Sequence, residues 1–344
     1  MDISLGKKRA PMTTAVWFAV LACGLATVFL LNVGMGSANI SIGEILRVLF
    51  GKVDPSDKTF LIIQRIRLPR AMACMAGGSA LAIAGLLLQT YFGNPIVEPY
   101  VLGISSGSVL FVGLVMLGGI TFGVQRVTPF FLFVGAFIGA MVVMAVVMFA
   151  ATRVKSIVTL LIVGLMAGYV CSAATSILSV FAEREQLVAF AMWGMGSFSG
   201  FIWSHVHLMY AIILPMLLLS FLLTKSLNAL GMGDKYAKSM GVNVRVVRLA
   251  LILISSVLTA AVTAFAGPVS FIGLAVPHIC RILFRTSNSR ILLPAALLGG
   301  GVMASLCDLL ARNLLSPLEL PLGAITAIIG APLVVLLLAK REKL

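Results

Sequence analysis

The chain has 344 residues, of which 60% are hydrophobic and only 10% are charged, and its formal net charge is +14. Soluble domains carry about 25% charged residues, so this chain has too few polar side chains to cover a water-soluble globule. The same composition excludes disordered, collagen-like and disulfide-rich chains. The apolar runs are continuous and long enough for helices that cross a hydrocarbon core of about 30 Å. We therefore predict an all-α polytopic membrane protein rather than a β-barrel, whose strands would alternate apolar and polar residues.

The basic residues form short clusters between the apolar runs, where the positive-inside rule places them. A nucleic-acid-binding protein would instead present one contiguous basic face, so that class is excluded. The five cysteines are scattered through apolar runs without a CxxC pair. They indicate small buried side chains rather than a disulfide framework or a metal site.

Ten apolar runs have the length of a transmembrane helix, and we interpret the first as a retained helix rather than a signal peptide. Since the sequence shows no separate soluble domain, residues 1–344 are predicted to form one transmembrane domain. The predicted spans are residues 15–33, 71–91, 100–120, 128–151, 157–180, 206–224, 247–266, 270–284, 291–311 and 322–339.

Placing the N-terminus in the cytoplasm puts most of the 25 lysines and arginines on the cytoplasmic side, so we predict that both termini are cytoplasmic. Residues 34–70 then form an external segment, with an amphipathic stretch at residues 42–50 and a basic run at residues 65–70. Lysines and arginines favour the cytoplasmic side, so a basic run in an external segment needs another explanation.

Residues 225–247 form the longest predicted cytoplasmic loop, in which glycines surround the polar stretch of residues 234–239. This pattern predicts short helices broken by glycine, which suit a docking surface better than a span. A merely solvated loop is the alternative.

Two stretches interrupted by proline and glycine, residues 94–103 and 267–278, occupy similar places in the two halves of the chain. The predicted spans before them run in opposite directions, which hints at an inverted repeat of the kind common in transporters. Irregular backbone at that depth must be buried in protein or line a cavity.

A series of weak motifs follows in order along the chain, and their combined spacing is specific. The motifs are Arg67-Leu68-Pro69-Arg70, Ala80-Leu81-Ala82 with Gly85 and Gln89, Asn94-Pro95 with Pro99, Leu102-Gly103 with Ser105-Ser106-Gly107, Leu230-Gly231 with Ala237, Ser239 and Gly241, Gly267 with Phe271-Ile272-Gly273-Leu274, Pro277-His278 with Arg281, Leu320-Pro321-Leu322-Gly323, and Gly330-Ala331-Pro332. This series resembles the permease subunits of type II ABC importers, which take up iron–siderophore complexes, haem and vitamin B12. The resemblance runs from about residue 40 to the end of the chain.

The resemblance implies ten helices per subunit and two permease copies, as a homodimer, around one pathway in the inner or plasma membrane of a prokaryote. It also implies two cytoplasmic ATPase subunits and an external substrate-binding protein, with an iron chelate (siderophore or haem) or vitamin B12 as the cargo. The chain has no GxxxxGK[ST] phosphate loop. ATP and Mg²⁺ would therefore be bound by the partner ATPase, and this subunit would be a non-enzymatic transport component without a cofactor.

The resemblance further implies roles for individual residues. Arg67, Arg70 and Arg312 would dock the binding protein, as exposed charges that serve steering and register more than affinity. Headgroup contact is the alternative for Arg67 and Arg70, and a helix-surface pair with Asp308 is the alternative for Arg312.

Two further groups of candidates follow from the same resemblance. Those for coupling to the ATPase are Leu230, Gly231, Asp234, Lys235, Ala237, Ser239 and Gly241. Those for the pathway and its gates are Asn94, Ile96, Ser156, Thr159, Ser172, Ser176 and Trp193, with interfacial anchoring as the alternative for Trp193.

Two other function classes were weighed against an ABC importer. An ion-driven secondary transporter needs ionisable groups within the membrane, yet only Asp308 lies well inside a predicted span. An intramembrane enzyme needs a nucleophile–base pair or an HExxH motif, and neither is present. His205 and His207, without a nearby carboxylate or cysteine, predict interfacial side chains rather than a metal site.

Overall fold

The computed structural model describes residues 11–36, 40–49, 57–118, 129–154, 156–316 and 318–341, and most of these residues are helical. The α-helices are α1 (Pro11–Gly34), α2 (Ile42–Leu49), α3 (Lys58–Ile62), α4 (Leu68–Phe92), α5 (Ile104–Gly118), α6 (Pro129–Arg153), α7 (Ile157–Val180), α8 (Arg184–Gly194), α9 (Trp203–Leu222), α10 (Thr224–Gly231), α11 (Asp234–Ser239), α12 (Val244–Ala266), α13 (Ile272–Phe284), α14 (Ser289–Asn313) and α15 (Leu322–Arg341). A π-helical turn (Ile63–Arg67) leads into α4, and a 3-10 helix (Pro99–Leu102) leads into α5.

The ten predicted spans coincide with α1, α4 to α7, α9 and α12 to α15, which confirms an all-α membrane protein of about ten spanning helices. Within the described part of the chain, seven helices are long and apolar enough to cross a membrane, while α5, α13 and α15 contain shorter apolar helices. Helix α5 begins just after the first interrupted stretch and α13 begins within the second, so irregular backbone precedes both of these shorter helices. The inverted repeat itself stays a prediction.

Helix α4 lies at the centre of the bundle, because 89% of the most apolar 18-residue window of its span is buried. In α1 only 6% of the corresponding window is buried. Small residues let neighbouring backbones approach α4 closely. A Cβ at Gly78 would overlap the carbonyl oxygen of Gly300 on α14, and a Cβ at Gly85 would overlap that of Gly273 on α13. The hydroxyl of Ser79 also donates to the carbonyl oxygen of Leu297 at 2.7 Å. The middle of α14 is therefore held close to α4, which matters for the sites below.

The segment predicted to be external is partly helical and packs on the bundle. The predicted amphipathic stretch forms α2, whose Ile45 and Val48 are buried against Val33, Ile63 and Leu68. Residues 37–39 and 50–56 of this segment lie outside the described residues.

A capping box begins α2. Glu44 accepts hydrogen bonds from the backbone N–H and the hydroxyl of Ser41, at 2.8 and 2.9 Å, and the Ser41 hydroxyl accepts from the Glu44 N–H at 3.3 Å. These hydrogen bonds hold the pKa of the exposed Glu44 carboxyl below its ordinary value. The local sequence Ser-x-x-Glu thus fixes where this short helix starts.

Candidate functional site

The beginning of α4 carries a group of charged and amide side chains that we call the outer cluster: Asn32, Arg67, Arg70, Asp308, Arg312 and Glu319. At its centre Arg70 places Nη2 2.9 Å from Asp308 Oδ1 and Nη1 2.8 Å from Glu319 Oε1. The Asp308 side chain on α14 is only 1% exposed, whereas that of Glu319, just before α15, is 45% exposed. The planar guanidinium thus bridges two carboxylates from separate parts of the chain.

The remaining members of the outer cluster attach α1. Arg312 Nε is 3.5 Å from Asp308 Oδ2, and its Nη2 donates to Asn32 Oδ1 at 2.6 Å. Asn32 Nδ2 in turn donates to the carbonyl oxygen of Ser305 at 2.9 Å. Arg67 Nη1 donates to the last two carbonyl oxygens of α1, at 2.9 and 2.6 Å, where a cation also favours the helix dipole.

The outer cluster corrects the expectation that the docking arginines are exposed. Arg67 and Arg70 are 5% and 8% exposed, and the side chain of Arg312 is 9% exposed. The pair of Arg312 with Asp308 is present, but it is buried rather than on a helix surface. Because buried charges are costly without partners, these contacts explain why arginines persist where the topology signal opposes them. Their docking role stays a prediction.

The opposite end of the bundle, which we call the loop end, carries the predicted short helices α10 and α11. Leu227, Leu230 and Ala237 are buried there and hold both helices against the bundle. Asp234 at the start of α11 pairs with Arg248 of α12 at 2.9 Å, and the Arg248 guanidinium lies 5.6 Å from the centre of the Tyr91 ring.

Two glycines shape this coupling segment. Gly233 and Gly241 flank α11 with φ of +106° and +77°, which are angles that side-chain-bearing residues rarely adopt. Gly231 has no such requirement, and a Cβ there would meet open space. Lys235 and Ser239, which lie between Gly233 and Gly241, are exposed.

An exposed apolar stripe on the same segment was missed from the sequence. Met232, Tyr236 and Met240 are 67%, 42% and 63% exposed. Met232 and Met240 are the C-cap residues of α10 and α11, and Tyr236 lies within α11. Their spacing of four residues within a polar loop was the signal that could have found them. Of the predicted coupling residues, Leu230 and Ala237 face inward, so the stripe is the more accessible part of the segment.

The predicted pathway residues lie in three places rather than in one cluster. Asn94 Oδ1 accepts from the Ile96 N–H at 3.0 Å in the turn after α4, and Ile96 is half exposed. Ser156 caps α7, and its hydroxyl accepts from the Thr159 N–H at 3.3 Å.

The other pathway residues lie on α7 and α8. Ser172 and Ser176 are exposed on one face of α7 together with Tyr169, and the Ser176 hydroxyl donates to the Ser172 carbonyl at 3.0 Å. Trp193, near the end of α8, stacks on Phe190. A Cβ on Gly267 would lie 2.5 Å from the carbonyl oxygen of Trp193. Glycine at this position therefore allows α8 to pack on the turn that follows α12.

A buried acid, Glu98, joins the two interrupted stretches and was also missed. Its Oε2 accepts from the Phe271 N–H at 3.0 Å, immediately before α13 begins. Burial raises the pKa of the Glu98 carboxyl, and the Phe271 N–H partly opposes that shift. Phe271 has φ of +67°, a strained angle for a side-chain-bearing residue, which this hydrogen bond helps to hold. The residues are 173 positions apart, so no local pattern indicates the contact.

No group of three or more His, Cys, Asp or Glu that could hold a metal ion occurs among the described residues. His205 packs on Phe201 and Phe265, and His207 stacks on Trp203. Both histidines therefore pack on aromatic rings, and their interfacial position stays a prediction.

Comparison with known proteins gives a consistent assignment. The FecCD transport family matches residues 24–340. The hemin transport system permease protein HmuU of Yersinia pestis is 35% identical over 94% of this chain and 97% of its own length. The vitamin B12 import system permease protein BtuC of Yersinia enterocolitica is 36% identical over 81% of this chain and 82% of its own length.

The solved structures agree with these relatives. A structure described as a metal-chelate type ABC transporter in an inward-facing conformation has a TM-score of 0.83 at 29% identity, and the match covers 94% of this chain and 98% of that chain. The resemblance found in the sequence motifs is thereby confirmed, and the chain belongs to the FecCD transport family.

Proposed function

We propose that this chain is the membrane-spanning subunit of an ATP-driven importer that passes a metal chelate, such as haem or an iron–siderophore complex, or vitamin B12, from a binding protein to the cytoplasm. The family and the permeases for hemin and vitamin B12 support this cargo class. The structural similarity to a metal-chelate type transporter supports it independently.

The single structural observation that carries an ATP-driven mechanism is the exposed stripe of Met232, Tyr236 and Met240. These side chains stand on helices that are anchored by Leu227, Leu230 and Ala237, so force applied to them reaches the ends of α4 and α12. Apolar side chains exposed outside the spans favour a protein partner. Since the chain has no phosphate loop and belongs to a transport family, a separate ATPase is the partner that we assign to this surface.

The outer cluster supports docking of an acidic partner at the other end. It contains three arginines and two carboxylates, so it keeps an excess of one positive charge. Glu319 is half exposed and holds Arg70 from the solvent side. A carboxylate of a binding protein could take the place of Glu319 at Arg70 without uncovering Asp308, which would allow docking and release.

The exposed face of α7 supports a second permease copy around a shared pathway. Ser172 and Ser176 lie exposed on a spanning helix, beside Tyr169, where contact with lipid would favour purely apolar side chains. A water-accessible pathway between two copies would hydrate these exposed hydroxyl groups.

Reconstitution tests the proposal. The chain would be co-expressed with its partner ATPase, purified, and placed in liposomes with ATP and the cognate binding protein. We expect ATP-dependent accumulation of haem, a ferric siderophore or cobalamin. Uptake that continues without ATP, or that follows an ion gradient, would refute it.

Variants of the stripe test the coupling surface separately. Met240→Asp should remove the ATPase from the purified complex, because a charge then lies in an apolar contact. Val246→Asp is the matched control, since Val246 is 59% exposed at the same end but outside the stripe. If both variants retain the ATPase equally, the stripe is not the docking surface.

A further inference from the structure

A half-open cavity of about 740 Å³ lies at the loop end, bordered by the end of α4, by α10, by α13 and by the start of α14. Its volume is within the range of about 300–1,000 Å³ that is usual for small-ligand sites. Leu86, Leu230 and Leu292 form apolar walls, whereas Gln89, His278 and Arg281 contribute polar groups. The predicted gate residue Asn94 and the predicted coupling residues Leu230 and Gly231 also line it, but no transport step proposed above places a ligand in it.

The described lining of the cavity carries one formal positive charge. Arg281 lines it, and no aspartate or glutamate is found among its described lining residues. Arg281 Nη1 donates to Gln89 Oε1 at 2.6 Å, and Gln89 Nε2 donates to the Gly273 carbonyl oxygen at 3.2 Å. The guanidinium is therefore held in place by a side chain that is itself fixed to the backbone. Ser289, the first residue of the long helix α14, also lines the cavity, and its helix end adds partial positive charge.

The position of the cavity restricts what can occupy it. It lies where spanning helices end, at the side that the charge bias predicts to be cytoplasmic, which is the depth of lipid headgroups. Ile282, beside Arg281, is 47% exposed and lines the same cavity, so an apolar surface leads from the outside of the bundle to the cation. A ligand that matches both features is amphipathic and anionic.

We propose that this cavity binds the headgroup of an anionic phospholipid, with its phosphate on the side of Arg281 and its apolar part against the leucine walls. Basic pockets between spanning helices on the cytoplasmic side are a general type of site for such headgroups. Because α10 forms one wall and continues into the coupling segment, occupancy of the cavity stabilises the position in which that segment is presented.

Native mass spectrometry of the full chain in detergent tests this proposal without cargo or ATPase, so its outcome is independent of the proposed function. Phosphatidylglycerol and phosphatidylcholine are titrated separately, and the wild-type chain should bind phosphatidylglycerol more tightly. Arg281→Gln should weaken phosphatidylglycerol binding about fivefold, as expected for one cation at a membrane surface, and leave phosphatidylcholine binding unchanged. Arg285→Gln is the matched control, because Arg285 is exposed at the same end and does not line the cavity.

A second variant keeps the test decisive if Arg281→Gln does not fold. Ser287 is exposed and lines the cavity, so Ser287→Trp should reduce phosphatidylglycerol binding by filling space while all charges remain. Equal affinities of the wild type, Arg281→Gln and Ser287→Trp would overturn the proposal. Displacement of phosphatidylglycerol by inorganic phosphate would overturn it in favour of a free anion, and displacement by an added ATPase subunit would overturn it in favour of a protein contact.

Discussion

Replacing Asp308 by asparagine should destabilise the fold far more than the same change at Glu319, although both carboxylates bind Arg70. Asp308 is 1% exposed and receives hydrogen bonds from Arg70 Nε and Nη2 at 2.9–3.2 Å. Asparagine keeps the shape but removes the charge, so Arg70 and Arg312 lose their shared buried counter-ion.

The magnitude follows from burial. Removing one partner of a buried ion pair costs about 3–5 kcal/mol, and the lower end applies because Arg70 keeps Glu319. Glu319 is 45% exposed, so Glu319→Gln should cost about 0–1 kcal/mol. The two variants should therefore differ by at least about 2 kcal/mol, a factor of roughly 30 in the unfolding equilibrium.

The free energy of unfolding can be measured from the fluorescence of the three tryptophans as the SDS fraction of mixed micelles is raised. A double-mutant cycle with Arg70→Gln should show a coupling energy of at least about 1 kcal/mol between Arg70 and Asp308. Equal effects of Asp308→Asn and Glu319→Gln, or an additive cycle, would refute the reasoning from burial.

Two other predictions use matched pairs of variants. Gly241→Ala should lower the free energy of unfolding by about 1–2 kcal/mol in the same assay, because φ at Gly241 is +77°. Gly231→Ala should not destabilise the protein, since a Cβ there meets open space. Equal losses of unfolding free energy in the two variants would contradict the backbone argument. In a background that keeps Cys280 as the single cysteine, Glu98→Ala should raise the rate of maleimide labelling about fivefold. The reason is that the start of α13 loses a hydrogen bond worth about 1 kcal/mol. Glu98→Gln keeps an acceptor oxygen and should label like the wild type, and increased labelling of this variant would show that charge, rather than the hydrogen bond, holds α13.

The spans were predictable because the length of an apolar run reports directly on bilayer thickness. The short helices α2, α10 and α11 were also predictable, since amphipathic spacing, a capping box and glycines mark them locally. Ser172 and Ser176 were identified as candidates, but only the structure shows that they share the exposed face of α7.

The contacts within the outer cluster could not be predicted in full. Arg70 and Asp308 are 238 positions apart, and nothing in the sequence around either residue indicates a contact with the other. The position of Arg70 next to a predicted headgroup region indicates an exposed side chain. Only the packing of α1 and α14 on α4 buries it. Glu98 was overlooked for the same reason, because its partner is a backbone N–H distant in the chain.

The attachment of α1 has a consequence for how the protein is assembled in the membrane. Only 6% of the most apolar window of α1 is buried, and its C-terminal end is held by Asn32, which bonds to Ser305 and Arg312, 273 and 280 positions later. Before α14 is inserted, α1 is therefore held through Arg67 and its packing on α2. A chain that stops before α14 lacks the contacts of Asn32, so the mobility of α1 should fall once synthesis has passed the ninth spanning helix.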